Sequence, residues 1–173
     1  MEKDSFTNVR KIDENNIEDA FKLMQSNTYF YSRTQSHILT LDECREDITA
    51  LPPKVDLEQK FFMGFYKGDD MIAVLDYVEG YPNENVLYLG FFMLHMDKHE
   101  KGIGRQIINT FIKTTKNNNF AEIKLACYET NEIGYLFWSK MGFSVEKMSK
   151  KVVDGRKYNL VEMHITLKSK INP

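Results

Sequence analysis

The sequence predicts a mixed α/β (α+β) fold, a sheet with helices packed on it. Three observations point there. Short β-rich runs bounded by glycine, proline and asparagine turns alternate with segments whose apolar residues recur at helical spacing. The run Leu87 to Leu94, interrupted by Gly90, is apolar on both faces, as a central strand covered on each side requires. The chain has 173 residues, 42% apolar and 28% charged, a soluble globular balance that fits one domain over residues 1–173 with a sizeable core.

Phe6 to Ile12 reads as the first strand. Asp13 is placed to cap a helix in which Ile17, Phe21 and Met24 fall at i, i+4 and i+7, with Ala20 and Leu23 widening the stripe. Residues 27 to 39 lose that period and hold Tyr29, Phe30, Tyr31 and His37 among polar residues. Thr40-Leu41-Asp42-Glu43 is a capping box, in which each side chain satisfies a free amide at the start of a second helix. Pro52-Pro53 ends it, because proline donates no backbone hydrogen bond.

Phe61 to Tyr66 then turns through Lys67-Gly68-Asp69-Asp70 into Met71 to Glu79, a hairpin signal. Gly80-Tyr81-Pro82-Asn83 marks a turn before Leu87 to His95. A third helix starts near Gly102 with Ile103, Ile107, Ile108, Phe111 and Ile112 as its stripe, and Asn117-Asn118-Asn119 stops it. Ala121 to Tyr128 is a strand, and Asn131 to Met141 a fourth helix closed by Gly142. Phe143 to Val153 and Lys157 to Leu167 flank Asp154-Gly155, a two-residue hairpin pair. The tail Lys168 to Pro173 is polar. The order is β-α-α-β-β-β-α-β-α-β-β.

The formal net charge of −2 argues against a nucleic-acid partner, which calls for a basic face. Cys44 and Cys127 form no CxxC pair and stand near no histidine cluster, so a zinc site lacks its four ligands and two free thiols in a reducing cytoplasm are expected. Met1-Glu2-Lys3-Asp4-Ser5 leads into no signal-peptide core, and no run reaches the ~18 apolar residues of a membrane span.

The chemistry-bearing segment is His99-Glu100-Lys101-Gly102-Ile103-Gly104-Arg105, between the buried strand and the third helix. The first turn of a helix has free N–H groups and a partial positive charge, which suit a pyrophosphate. Gly102 and Gly104 would let such an anion approach the backbone, and Lys101 and Arg105 add donors at the rim. Neither GxxxxGK[ST] nor GxGxxG is present, and a GxG at such a junction reads equally as a tight turn that needs small residues.

The wider pattern resembles the GNAT superfamily of N-acetyltransferases. That family carries a Gln/Arg-x-x-Gly-x-Gly/Ala loop after its fourth strand, and His99 to Gly104 falls on it. Asn131 matches the asparagine that opens the next helix. Trp138-Ser139-Lys140-Met141-Gly142-Phe143 matches the aromatic-x-x-x-Gly-Phe ending. The resemblance implies a mostly antiparallel seven-stranded sheet flanked by about four helices. It implies acetyl-CoA as acyl donor, a small-molecule or peptide amine as acceptor, direct attack without an acyl-enzyme, and a possible homodimer. The cofactor-binding positions it implies are Phe92, Met93 and Leu94, paired with the pantetheine arm where strands four and five splay at a bulge, and His99, Glu100, Lys101, Gly102, Ile103, Gly104 and Arg105. Asn131, Gly134 and Trp138, on one helix face, complete them.

Two positions depart from the family pattern. His99 replaces Gln or Arg, and Trp138 stands where many members carry a tyrosine that protonates the leaving thiolate. An indole N–H has no accessible pKa for that task. Either another acid serves or a thiolate of pKa ~8.5 leaves unassisted; Tyr135 is the adjacent candidate acid. Glu129, Asp76 and His95 are candidate bases, each with a plain alternative: a solvated strand-end charge, a sheet hydrogen-bond acceptor and a partly buried strand terminus. Tyr29, Phe30 and Tyr31 read either as an acceptor wall or as core aromatics. The missing tyrosine leaves a second functional reading open, a non-catalytic acyl-CoA-binding or sensing module. The acceptor itself is not legible, since fold does not fix function.

Overall fold

Alternation along the strands sorts apolar side chains onto two faces of one sheet. The computed structural model describes residues 6–118 and 120–167. The expectations for Met1–Ser5, Asn119 and Lys168–Pro173 lie outside the described residues. Strands β1 (Asn8–Lys11), β2 (Lys60–Lys67), β3 (Asp70–Glu79), β4 (Val86–Leu94), β5 (Glu122–Tyr128), β6 (Ser144–Val153) and β7 (Arg156–Thr166) form a seven-stranded sheet in the order β1-β2-β3-β4-β5-β7-β6. All neighbours are antiparallel except β4 and β5. A parallel pair needs a crossover, and helix α4 (Ile103–Asn117) supplies it.

One face packs on α4 and on α5 (Glu132–Lys140). Its buried cluster includes Leu75, Leu87, Leu89, Ile107, Ile108, Ile123, Leu125 and Trp138. The other face packs on α1 (Ile17–Gln25) and α3 (Leu41–Thr49), with Ile17, Leu23, Met24, Cys44, Phe62, Tyr66, Val74 and Met93 buried together. The expected stripes of the first and third helices are these contacts. Both cysteines are free and buried.

The structure adds a fifth helix, α2 (Thr28–Thr34), in the segment where the sequence shows no helical period. Its residues, TYFYSRT, are weak helix formers without an apolar stripe. Local bonds and packing hold it. Thr34 Oγ1 donates to the Phe30 carbonyl at 3.0 Å, and the Arg33 guanidinium lies 3.7 Å over the Tyr29 ring.

The start of α1 also differs from expectation. Asn16, not Asp13, occupies its N-cap position. Asp13 is spent in the turn before it, where its carboxylate accepts from the Asn15 amide at 2.8 Å. At α3 the capping box is present, with the Glu43 amide donating to Thr40 Oγ1 and the Glu43 carboxylate accepting from the Thr40 amide.

Candidate active site

The site is built on a break in the sheet. β4 and β5 pair over four residues, Val86 to Leu89 against Glu122 to Leu125, and no further. β5 continues with β7 to Tyr128, whereas β4 continues with β3 to Leu94. A wedge-shaped gap therefore opens between Gly90–Leu94 and Ala126–Tyr128.

Gly90 is the cause on the β4 side. In the β3 ladder Asp76 faces Phe91 while Tyr77 faces Leu89, so Gly90 is an extra, bulged residue. It changes the parity of the strand. Leu87 and Leu89 face the α4 side before it, and Phe92 and Leu94 face that side after it. A β-carbon at Gly90 would lie 3.0 Å from Asp76 Oδ2, so a side chain there would crowd that carboxylate.

Backbone direction follows from one bond. The His95 amide donates to the Ile72 carbonyl at 2.9 Å, toward β3. Alternation then turns the polar groups of Met93 toward β3 and those of Phe92 and Leu94 toward the gap. The Leu94 carbonyl is taken: Asn27 Nδ2 donates to it at 2.9 Å, and His99 Nε2 lies 3.3 Å away. The Phe92 backbone and the Leu94 amide are left to line the opening.

The glycine loop closes one end. A short helical turn, Met96–Lys98, leads to Glu100 at φ +60° and Gly102 at φ +75°. Gly102 caps α4 without any side-chain hydrogen bond. The first backbone bond of the helix runs from the Gln106 amide to the Gly102 carbonyl at 3.1 Å. The amides of Ile103, Gly104 and Arg105 thus have no helical acceptor and point out of the positive end of a fifteen-residue helix. Gly104 is there for packing, since a β-carbon would meet Leu94 Cδ1 at 2.8 Å and Phe137 Cε2 at 3.4 Å. Lys101 Nζ donates to the Asp97 carbonyl at 2.8 Å, and Arg105 is exposed.

Asn131 is the N-cap of α5 and accepts from the Gly134 amide at 3.1 Å. A β-carbon at Gly134 would collide with Asn131 Nδ2, so that glycine makes room for the capping side chain. Trp138 is buried among Phe92, Phe137 and Phe143, at centroid distances of 6.0, 5.0 and 5.3 Å.

On the α1–α3 face the gap opens into a cavity of 390 Å³ lined by residues of α2, α3, β4, β5 and β6. Phe30 of α2 bridges its mouth, packing edge-on against Phe91 of β4 at 5.8 Å and Tyr128 of β5 at 6.2 Å. Asn131 and Trp138 reach the same cavity. Of the candidate bases and acid, Asp76 lines it. Glu129 accepts from Asn159 Nδ2 at 2.8 Å and lies with Tyr135 in a separate, shallow recess beside β6. His95 Nδ1 accepts from the Asp97 amide at 3.3 Å in the turn after β4. Tyr29 is turned to Arg33, while Phe30 and Tyr31 line the cavity.

Several residues that shape the cavity carry no sequence signal. Lys60, buried at the start of β2, binds both carboxylate oxygens of Asp76 at 2.8 and 2.9 Å. Burial nevertheless leaves the Asp76 carboxyl above its ordinary pKa, with Lys60 opposing the rise. His37 bridges Glu43 of α3 and Asp154 of the β6–β7 hairpin, with Nδ1 2.6 Å from Asp154 Oδ2. That clasp joins two segments, α3 and the end of β6, that contribute residues to the cavity lining.

The family profile described as "Acetyltransferase (GNAT) domain" matches residues 8–160. The chain belongs to the GNAT acetyltransferase family. Solved structures agree on the fold. An acetyltransferase from Thermus thermophilus superposes with a TM-score of 0.73 at 16% identity, over 92% of this chain and 96% of that one. The ribosomal-protein-S18-alanine N-acetyltransferase from Escherichia coli gives 0.67 at 12% identity, over 95% and 96%. A probable acetyltransferase from Staphylococcus epidermidis gives 0.71 at 16%, over 93% and 99%. No curated protein sequence matches the chain. Acyl transfer is the chemistry that membership supports. Among the described residues no helix is long and apolar enough to cross a membrane.

Proposed function

We propose that this GNAT domain transfers an acetyl group from acetyl-CoA to a primary amine by direct attack. The observation that carries the reading is the coincidence of two free sets of backbone donors: the amides of Ile103, Gly104 and Arg105 at the start of α4, and the Phe92 and Leu94 amides along the open edge of β4. The first set suits the pyrophosphate of the donor. The second suits an extended pantetheine arm, which would join β4 as an added strand.

The residues then take roles by position. An amide of β4 facing the gap polarises the thioester carbonyl and holds its developing negative charge. The amine enters from the cavity side and attacks in its neutral form. Its nitrogen forms the C–N bond, the C–S bond breaks with its electron pair on sulfur, and the proton lost by nitrogen balances the thiolate through solvent. Trp138, wedged among Phe92, Phe137 and Phe143, shapes the wall and moves no proton. Asp76, the carboxylate nearest the bulge, accepts a proton from the incoming ammonium directly or through water.

Thiol release with acetyl-CoA across a panel of amines and peptides tests the reading. Gly102→Asp is the diagnostic variant: nothing lies within 4 Å of a β-carbon there, the φ of +75° strains any side chain but least an Asp or Asn, and the added negative charge at the helix start opposes a pyrophosphate. The variant should fold with a stability loss of about 1–2 kcal/mol from the left-handed backbone and lose about tenfold or more in acetyl-CoA affinity, about 1.4 kcal/mol, whereas Gly102→Asn should share the stability loss and keep most of the affinity. Unchanged affinity would reject the phosphate site. Tight donor binding without turnover on any acceptor would support the non-catalytic binding module, which the tryptophan at position 138 favours.

A further inference from the structure

Where β4 parts from β5, its last backbone groups need partners that the sheet no longer supplies. Two residues at the junction of α1 and α2 supply them. Asn27 is 4% exposed, and its Nδ2 donates to the Leu94 carbonyl at 2.9 Å, to the Leu23 carbonyl at 3.1 Å and to Ser26 Oγ at 3.3 Å. Two carbonyls can be met only by the NH2 end of an amide, so chemistry fixes the orientation of this side chain. The Ser26 hydroxyl is used in full as well. It donates to the Leu23 carbonyl at 2.6 Å and accepts from the Met96 amide at 3.0 Å. The end of β4 is thus gripped at two points, the carbonyl of Leu94 and the amide of Met96.

Two features set this clamp apart from routine pairing of buried groups. Asn27 stands at the N-cap of α2, where asparagine is favoured because it caps, yet its side chain makes no cap bond. It is spent on β4 instead. The Leu94 carbonyl is also met by His99 Nε2 at 3.3 Å, so it has two partners where one would satisfy it. A carbonyl only accepts, which makes Nε2 the protonated nitrogen of that ring.

The effect falls on the gap. The peptide between Leu94 and His95 is planar and is held at both ends, by Asn27 on its carbonyl and by the Ile72 carbonyl on its amide. The Leu94 backbone is therefore fixed, and its own amide stays aimed into the opening. A donor group held in place before its ligand arrives loses less freedom on binding.

We infer that Asn27, backed by Ser26, is a positioning residue for the donor: by holding the Leu94 carbonyl it keeps the Leu94 amide presented to the pantetheine arm. It acts through Leu94 and not on the donor itself. Because Asn27 also opens α2, the same bond sets the cavity wall of Phe30 and Tyr31 in register with β4. This rests on the reading of the gap as the pantetheine site. The amides at the start of α4 are anchored separately, by Ile107 and Ile108 in the core.

Calorimetry with two ligands tests the inference: acetyl-CoA, and 3′-phosphoadenosine 5′-diphosphate, which keeps the pyrophosphate and lacks the pantetheine arm. Asn27→Leu removes the donor at nearly constant shape. Its acetyl-CoA affinity should fall about tenfold, while its nucleotide affinity stays within about twofold of wild type. Ser26→Ala releases only the Met96 amide, and should lose about threefold for acetyl-CoA with the same selectivity. It carries the test if Asn27→Leu does not fold. A merely structural role would lower both affinities together. Wild-type acetyl-CoA affinity in the folded variants, or equal losses for the two ligands, would overturn the inference. Equal affinity of the wild-type protein for the two ligands would reject the pantetheine reading and the inference with it, so the two failures are told apart.

Discussion

The ammonium of Lys60 lies 2.8 and 2.9 Å from the two carboxylate oxygens of Asp76, in a pair that spans β2 and β3 beneath the bulge. Lys60 is 3% exposed, so the pair is inside the protein. Removing one partner of a buried pair leaves an uncompensated charge. Lys60→Met should cost about 3–5 kcal/mol at pH 7, whereas Lys60→Met with Asp76→Leu should recover most of it. Urea unfolding of the double-mutant cycle measures this. The loss in Lys60→Met should shrink as pH falls, because Asp76 can then take a proton and become neutral.

The His37 clasp gives a pH signature. Hydrogen bonds that His37 donates to Glu43 and then to Asp154 raise its pKa above the ordinary value. Asp154 is lowered, chiefly by His37. Burial pushes Glu43 up, but its bonds to His37 and Thr40 outweigh that and bring it down. A raised histidine stabilises the folded state fully below its unfolded pKa, and that contribution fades as pH rises through the folded pKa. Amides of the β6–β7 hairpin tip and of the segment around His37 should therefore exchange faster as the imidazole deprotonates. Its NMR titration midpoint should exceed ~6.5 and fall toward that value in Asp154→Asn.

The bulge makes a steric prediction. Gly90→Ala places a methyl group 3.0 Å from Asp76 Oδ2, where the carboxylate is already held by Lys60. Overpacking of this kind costs about 1–3 kcal/mol. Thermal unfolding should show that loss, and donor affinity should fall with it because β4 must shift at the gap.

Both thiols should be silent in the folded protein. Burial pushes Cys44 up to about 12, with Asp47 and Glu43 adding to the rise, and Cys127 up to about 11. Cys44 is wholly buried and lies 3.8 Å from Met24 Sδ. Neither should react with a thiol reagent at pH 8 over the time in which urea-unfolded chain reacts at both. Mass spectrometry of the alkylated protein counts them.

The strands, the stripes of α1 and α4 and the Asp154-Gly155 hairpin were legible because alternation and helical period are local. The Thr40 capping box was legible for the same reason. Helix α2 was not, because Phe30 is held by rings on β4 and β5 that are distant in sequence. Gly90 was visible as an interruption, but its effect, the end of pairing with β5, depends on register. His37 and Asp154 stand 117 positions apart and share no pattern.

The account centres on acetyl-CoA joining the open edge of β4 and the free start of α4. The most direct measurement is an amide-resolved NMR titration with acetyl-CoA. The account predicts saturable shifts, with slowed hydrogen exchange, at the amides of Phe92, Leu94, Ile103, Gly104 and Arg105. No shifts at millimolar ligand, or shifts confined to the recess of Glu129 and Tyr135 beside β6, would contradict it.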